Sequence, residues 1–177
     1  MSWICTPKPH TTVVNKLVGI RKWQHHAVHR LNMHMVGLLC GMVVLCRGDR
    51  HLMVQNKRLI NGKLQTVWDL PGGRVESREM LQEALQRELL EETQLVLRGD
   101  PEFVFLQEGQ RVIDSVRRYT WRSFFFRVEA TGDPVASNEV LDTRWMTTDE
   151  IEHECCAPYH LSFREWLSNS HRSYFVS

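Results

Sequence analysis

The sequence predicts a domain of mixed α/β (α+β) class, strands interleaved with helices. Three observations predict it. A Val-, Leu- and Met-rich run from Val36 to Cys46 is followed by a turn and a second run, His51 to Gln55, in a hairpin pattern. An amphipathic helical period covers residues 78–92. A long aromatic-rich strand pattern, Val116 to Val128, then leads toward two short capped helices. A length of 177 residues suits one domain with a sizeable core. Hydrophobic content of 42% and charged content of 24% are those of an ordinary globular protein. A net charge of +1 exerts no overall pull toward nucleic acid or acidic membranes. The longest apolar run, Val36 to Cys46, is far shorter than the ~20 residues of a transmembrane helix.

Each element follows from local pattern. Residues 1–11 hold two prolines and read as irregular, while Val14, Leu17, Ile20, Trp23, Val28 and Leu31 have helix-compatible spacing within residues 12–34. We therefore divide the chain into a basic N-terminal extension, 1–34, and a domain, 35–177. Arg47-Gly48-Asp49-Arg50 makes the hairpin turn, and Asn61-Gly62 makes the next. Val67 to Leu70 is a short strand that ends in Pro71-Gly72-Gly73. The helix at 78–92 takes Ser77 as N-cap and Leu81, Ala84, Leu85 and Leu89 as its buried stripe. Phe103 to Gln107 is a strand, with Gly109 and Gln110 in the turn after it. Thr143 to Met146 is another. Thr147 and Glu150 have capping-box spacing for one short helix, and Ser162 and Glu165 have it for a second, Phe163 to Ser168.

Five cysteines, an odd count without CxxC spacing, point to free thiols in a reducing compartment. Cys40 and Cys46 fall in the first, buried strand. No acidic residue precedes Asp49, whereas Lys8, Lys16, Arg21, Lys22, Arg30 and Arg47 do. Such an arm reads as a packed or solvated extension, a basic arm for RNA, or a mitochondrial transit peptide; the default location is cytoplasmic. His25 and His29 could meet on a helix, but no acidic or Cys partner lies near them to complete a zinc site.

The chemistry lies in residues 73–95. Glu88, Glu91 and Glu92 stand at i, i+3 and i+4. On a helix such side chains share one face, about 5–6 Å apart at Cβ. Like charges so placed destabilise a helix by roughly 0.2–0.5 kcal/mol per pair. A hard divalent cation would offset that repulsion; a solvated acidic face is the plainer reading.

The spacing of Gly73, Glu79, Arg87, Glu88, Leu89, Glu91, Glu92 and Leu95 resembles the Nudix box, with Gln94 where that family has glycine. The preceding TVWDLPG and the later RWMTTDEI extend the resemblance over residues 36–168. It implies an α/β/α sandwich with a mixed sheet. The implied enzyme hydrolyses a nucleoside diphosphate linked to another moiety, by attack of water on phosphorus with Mg²⁺ or Mn²⁺. It further implies Glu88, Glu91 and Glu92 as metal ligands, joined by a backbone carbonyl of Gly72 or Gly73. Arg87 would orient a carboxylate, and Glu79 would anchor the loop through Arg87. Glu88 is the first choice for general base, and Glu139 is the alternative on a distant loop. Gln94 should alter the loop after the helix slightly, since a left-handed non-glycine residue costs roughly 1 kcal/mol.

A nucleotide substrate needs cations for its phosphates and a clamp for its base. Arg74, Arg117, Arg118 and Arg122 are candidates for the first, and Trp68, Tyr119, Trp121 and Phe124 for the second. On a strand, Arg118 and Arg122 share one face and Tyr119 and Trp121 the other. Markers of ADP-ribose, NADH and coenzyme A hydrolases are absent, which leaves a MutT-like nucleoside-triphosphate pyrophosphohydrolase as the default. A non-catalytic Nudix-fold module for a nucleotide or RNA is the alternative. No membrane partner is expected, and homodimerisation is left open.

Overall fold

The computed structural model describes residues 37–60, 62–112, 118–137, 140–154, 161–169 and 171–176. Side chains at positions 111, 112, 118 and 119 are outside that description. So are the expected extension at 1–34 with its histidines, and Arg117, Glu139, Cys155 and Cys156.

The described elements are, in order, β1 (Leu38–Arg47), β2 (Arg50–Ile60), β3 (Lys63–Asp69), β4 (Gly72–Arg74), α1 (Leu81–Thr93), β5 (Val96–Val112), β6 (Arg118–Thr131), β7 (Asp142–Thr147), α2 (Thr148–Glu154), α3 (Leu161–Ser168) and β8 (Tyr174–Val176). The strands run β3-β2-β1-β6-β5-β8, with β4 added to β1 and β7 to β2. Pairing of β1 with β6 and of β5 with β8 is parallel, and the rest is antiparallel, so the sheet is mixed.

Strand β1 organises the layers. Its successive side chains point to opposite faces, and both faces are covered: Val43 and Val44 are each fully buried. Val43 and Leu45 pack with Leu85 and Leu89 of α1. Met42 and Val44 pack with Phe105, Phe125, Phe163 and Trp166 on the side of α2 and α3. A strand covered on both faces reads as an unbroken apolar run, which is why Val36–Cys46 is so uniform in sequence. Gly41 lets α1 approach closely, since a Cβ there would lie 3.1 Å from Leu81 Cδ1 and from Leu85 Cδ2. The result is helix on sheet on helix, the expected sandwich.

Several boundaries depart from the sequence reading. The hairpin pairs Cys46 with His51 and Arg47 with Arg50 as expected, but Cys46 is exposed at the strand's end. Helix α1 begins at Leu81 rather than near residue 78, and Ser77 is not its cap. Arg78 takes a left-handed φ of 72° in the preceding loop. Met80 is the N-cap residue in place of the expected serine, and its N–H donates to Glu83 Oε2 at 2.7 Å. Gly109 is inside β5, opposite Trp121, not in a turn. Strand β5 is far longer than Phe103–Gln107, because register shifts near Arg98/Glu102 and Phe103/Phe105 absorb Gly99-Asp100-Pro101. The Thr147/Glu150 box does form, with reciprocal bonds of 2.8 and 3.2 Å. Ser162 is instead buried within α3 and donates to Gln107 Oε1. Strand β8 is not foreseen at all; three residues anchored by buried Phe175 leave no period to read.

Gln94 takes the left-handed cap conformation, φ 59° and ψ 12°, and its N–H reaches Leu90 O at 2.9 Å. The chain keeps the capping turn and bears the strain. Gln94→Gly is therefore expected to stabilise the protein by about 0.5–1 kcal/mol in urea denaturation.

Candidate active site

Gly72 and Gly73 lie on β4, opposite Met42 and Gly41 of β1, and α1 runs above them. Gly72 has φ 139°, and a Cβ there would stand 2.9 Å from Met42 Cα and overlap Gly41 O. Only glycine fits. At Gly73 the obstacle is different: a Cβ would lie 2.8 Å from Glu88 Oε2 and overlap the rest of that carboxylate. The missing side chain of Gly73 is the space the Glu88 carboxylate occupies. Gly73→Ala is expected to displace Glu88 and lower kcat at least about tenfold, with little change in thermal stability. Activity and a thermal melt on one sample check it.

Arg87 holds the box together. Its Nε donates to Glu79 Oε1 at 2.7 Å and its Nη2 to Glu79 Oε2 at 3.0 Å. Nη2 also donates to Arg74 O at 3.0 Å. Nη1 donates to Glu88 Oε1 at 2.8 Å and reaches Glu91 Oε2 at 3.4 Å. The guanidinium fork thus ties the loop before α1 to β4 and to two box carboxylates. Glu79 also accepts from Glu76 N–H at 2.8 Å. Its hydrogen bond from Arg87 holds its carboxyl below the usual range.

The carboxylates differ in environment. Glu91 is the most open of them, its side chain 46% exposed. Burial pushes Glu88 upward, against its bonds from Arg87. Glu92 is half-buried and accepts from Gly72 N–H at 2.9 Å. Burial pushes it up to about 8, and the charges of Glu88 and Asp69 add to the effect. Asp69 is itself buried, fixed by Leu70 N–H at 2.9 Å and by Arg58 Nη2 at 3.3 Å. Asp69 and Arg58 escape sequence reading; only the β2–β3 register brings them to this side of α1.

As placed, the three glutamates do not converge on one point. Among the described residues, no three His, Cys, Asp or Glu side chains stand close enough to hold a metal ion. Glu88 and Glu91 lie on Arg87, and Glu92 lies on Gly72. The donor set nevertheless suits a hard cation, since it is all oxygen. Half-buried Glu92, raised by desolvation and by the charges of Glu88 and Asp69, is the group that a cation would relieve.

The loop after β6 is tied to the end of α1. Ser137 Oγ donates to Glu91 O, Ser137 N–H to Glu92 O at 3.2 Å and Val135 N–H to Thr93 O at 2.9 Å. These bonds satisfy carbonyls that a helix end leaves open. Position 139, two residues further on, is outside the description.

The substrate candidates scatter. Arg74 is exposed beside the box, and its charge reaches Cys40. Arg122 is committed to Glu108 at 2.9 Å, which also accepts from Tyr174 OH at 2.6 Å. Phe124 stands against Phe103 on the sheet. Arg118 and Tyr119 are placed by backbone pairing alone. Trp68, expected as a base clamp, is packed in the core at 5% exposure. Arg144 covers its ring at 4.7 Å and is held in turn by Glu154 at 2.7 Å. Trp68 therefore has little surface to offer a base.

Comparison with known proteins agrees with this geometry. The NUDIX domain matches residues 40–167. Among curated proteins, none matches the chain by sequence. Similar solved structures include the Escherichia coli ORF135 protein, 23% identical, with a TM-score of 0.61 over 76% of this chain and 90% of that one. The mutator MutT protein of Bacillus halodurans is 21% identical, with a TM-score of 0.60 over 78% and 85%. The MutT Nudix hydrolase of Burkholderia pseudomallei is 20% identical, with a TM-score of 0.58 over 75% and 97%. The box geometry, the sandwich and the domain match together place this chain in the Nudix family of hydrolases.

Proposed function

We propose that the protein is a Mg²⁺- or Mn²⁺-dependent hydrolase of a nucleoside diphosphate linked to another moiety, with MutT-like nucleoside triphosphates favoured. The observation that carries this reading is the Arg87 hub, which holds Glu79, Glu88 and Glu91 at 2.7–3.4 Å beside half-buried Glu92. Glu88, Glu91, Glu92 and a backbone carbonyl of Gly72 or Gly73 would hold the cation. When bound, it supplies charge neutralisation and acidifies water. Glu88 serves as general base: its burial and raised affinity for a proton suit a group that takes one from water. Arg87 keeps that carboxylate oriented, and Glu79 keeps Arg87 in place. MutT proteins and a UDP-X diphosphatase among the similar structures support the substrate class.

The test is a panel of nucleoside triphosphates, oxidised deoxynucleotides, ADP-ribose, UDP-sugars and dinucleoside polyphosphates, with Mg²⁺ or Mn²⁺. Hydrolysis of at least one, abolished by EDTA and by Glu91→Gln, is the expected result. Inactivity throughout, with nucleotide binding unchanged in Glu91→Gln, would establish a binding module instead.

A further inference from the structure

The last turn of α1 carries Glu91 and Glu92 and has no basic residue to balance them. The C-terminal end of a helix favours cations and disfavours carboxylates. The left-handed cap at Gln94, φ 59°, adds to the cost. Such a turn frays unless its open carbonyls find donors elsewhere.

Each of those carbonyls has one. Leu90 O accepts from Gln94 N–H at 2.9 Å, within the cap itself. The next three are met by a single distant loop. Glu91 O accepts from Ser137 Oγ, Glu92 O from Ser137 N–H at 3.2 Å and Thr93 O from Val135 N–H at 2.9 Å. Ser137 thus directs both of its donors at the two residues that carry the carboxylates. The loop is anchored on its far side. Thr143 Oγ1 donates to Pro134 O at 3.5 Å, Val140 N–H to Ser137 O at 3.2 Å and Leu141 N–H to Gln55 O at 2.8 Å. Strand β7 then pairs with β2 from Asp142 onward. The clamp on the helix end is therefore tied to the sheet.

The two carboxylates depend on it unequally. A side chain's direction follows its Cα–Cβ bond, which the backbone of its turn fixes. Glu92 has a second restraint in Gly72 N–H, at 2.9 Å. Among the described residues, the Glu91 carboxylate has only the longer contact with Arg87, at 3.4 Å, and its side chain is 46% exposed. Its direction rests mainly on its own backbone, and Ser137 Oγ holds that backbone.

We propose that Ser137 is a positioning residue for Glu91 and Glu92. It locks the last turn of α1 to the sheet and so keeps both carboxylates ready for the cation. The proposal rests on the metal reading of the site given above.

The test compares wild type, Ser137→Ala, Ser137→Thr and a control, Thr147→Ala. The control removes a bond of the same kind from α2, on the opposite face of the sheet. Mn²⁺ binding is followed by electron paramagnetic resonance without substrate. Amide exchange at the end of α1 is followed by NMR in EDTA, beside a thermal melt. Ser137→Ala should weaken Mn²⁺ about tenfold or more, as loss of a residue that orients a metal ligand does. It should also speed exchange of the Gln94 N–H several-fold. Ser137→Thr keeps the hydroxyl and should restore most of both. Thr147→Ala should lower the melting temperature and leave Mn²⁺ affinity unchanged. Wild-type Mn²⁺ affinity in Ser137→Ala overturns the proposal. So does an equal loss of affinity in Thr147→Ala, which would make the effect one of global stability. A wild type that binds no Mn²⁺ overturns the metal reading itself, and the positioning role with it.

Discussion

Glu92→Gln is expected to lower kcat/KM by about 10³-fold and, without metal, to make the protein more stable at pH 8. The two effects share a cause. Glu92 is half-buried, accepts from Gly72 N–H at 2.9 Å, and is pushed up to about 8 by desolvation first and by Glu88 and Asp69 next. A glutamine keeps the shape and the acceptor for Gly72 but cannot carry the charge that a cation requires. The sign of the stability effect follows from proton binding. A carboxyl whose pKa is higher folded than unfolded holds its proton more tightly in the folded state. Its full stabilisation is therefore present below the ordinary value of 4.5 and is lost as pH rises toward about 8. The slope is at most ~1.4 kcal/mol per pH unit. Urea denaturation in EDTA should show wild type losing stability across that window relative to Glu92→Gln, with the difference fading near pH 5. On the proposed metal reading, Mg²⁺ should restore wild type and leave the variant unmoved, since the variant lacks the charge to hold it. A flat pH profile for the difference would remove burial as the explanation.

Arg87→Lys carries the second large effect. A lysine keeps the charge but concentrates its donors on one nitrogen. Arg87 serves Glu79 with two bonds, Arg74 O with one, and Glu88 with one, from three separate nitrogens. The pair is partly buried, with side-chain exposures of 26% for Arg87 and 14% for Glu79. Lysine cannot span those acceptors, so destabilisation of about 1–3 kcal/mol and a loss of about 10²-fold in kcat are expected. Glu79→Gln should cost less, since the loop keeps one acceptor for Arg87. A double-mutant cycle should return a coupling of about 1–2 kcal/mol between the two positions. Additive losses would mean that Glu79 and Arg87 act separately.

The box is legible in the sequence because its residues fall within one short stretch, 73–95, at fixed spacing. Glu88, Glu91 and Glu92 share a helix face whatever surrounds them. Strand β1 is legible because it is buried on both sides. Asp69 and Arg58 are not, because they meet only through the β2–β3 register, and no local pattern marks an arginine that pairs four positions back along its own strand. Trp68 misleads for the converse reason: an aromatic near the box is as useful to the core as to a base. Ser77 and Ser162 have capping chemistry, but α1 starts only at Leu81, beyond the left-handed Arg78, and α3 starts at Leu161, which leaves Ser162 inside it beside buried Phe163. Strand β5 hides behind Gly99-Asp100-Pro101, which reads as a turn and is absorbed as a bulge.

The dual role of β1 also bears on how the protein is assembled. Gly72 and Gly73 are held by Met42 and Gly41, and the same stretch of β1 is held in parallel by Phe124 and Phe125 of β6. Parallel pairing of distant segments is slow, because the intervening loop must close before any contact is gained. A candidate site written in one short stretch of sequence therefore waits on a strand made much later. A growing chain on the ribosome cannot complete it before β6 has emerged, and refolding should restore hydrolysis only in the final, global phase.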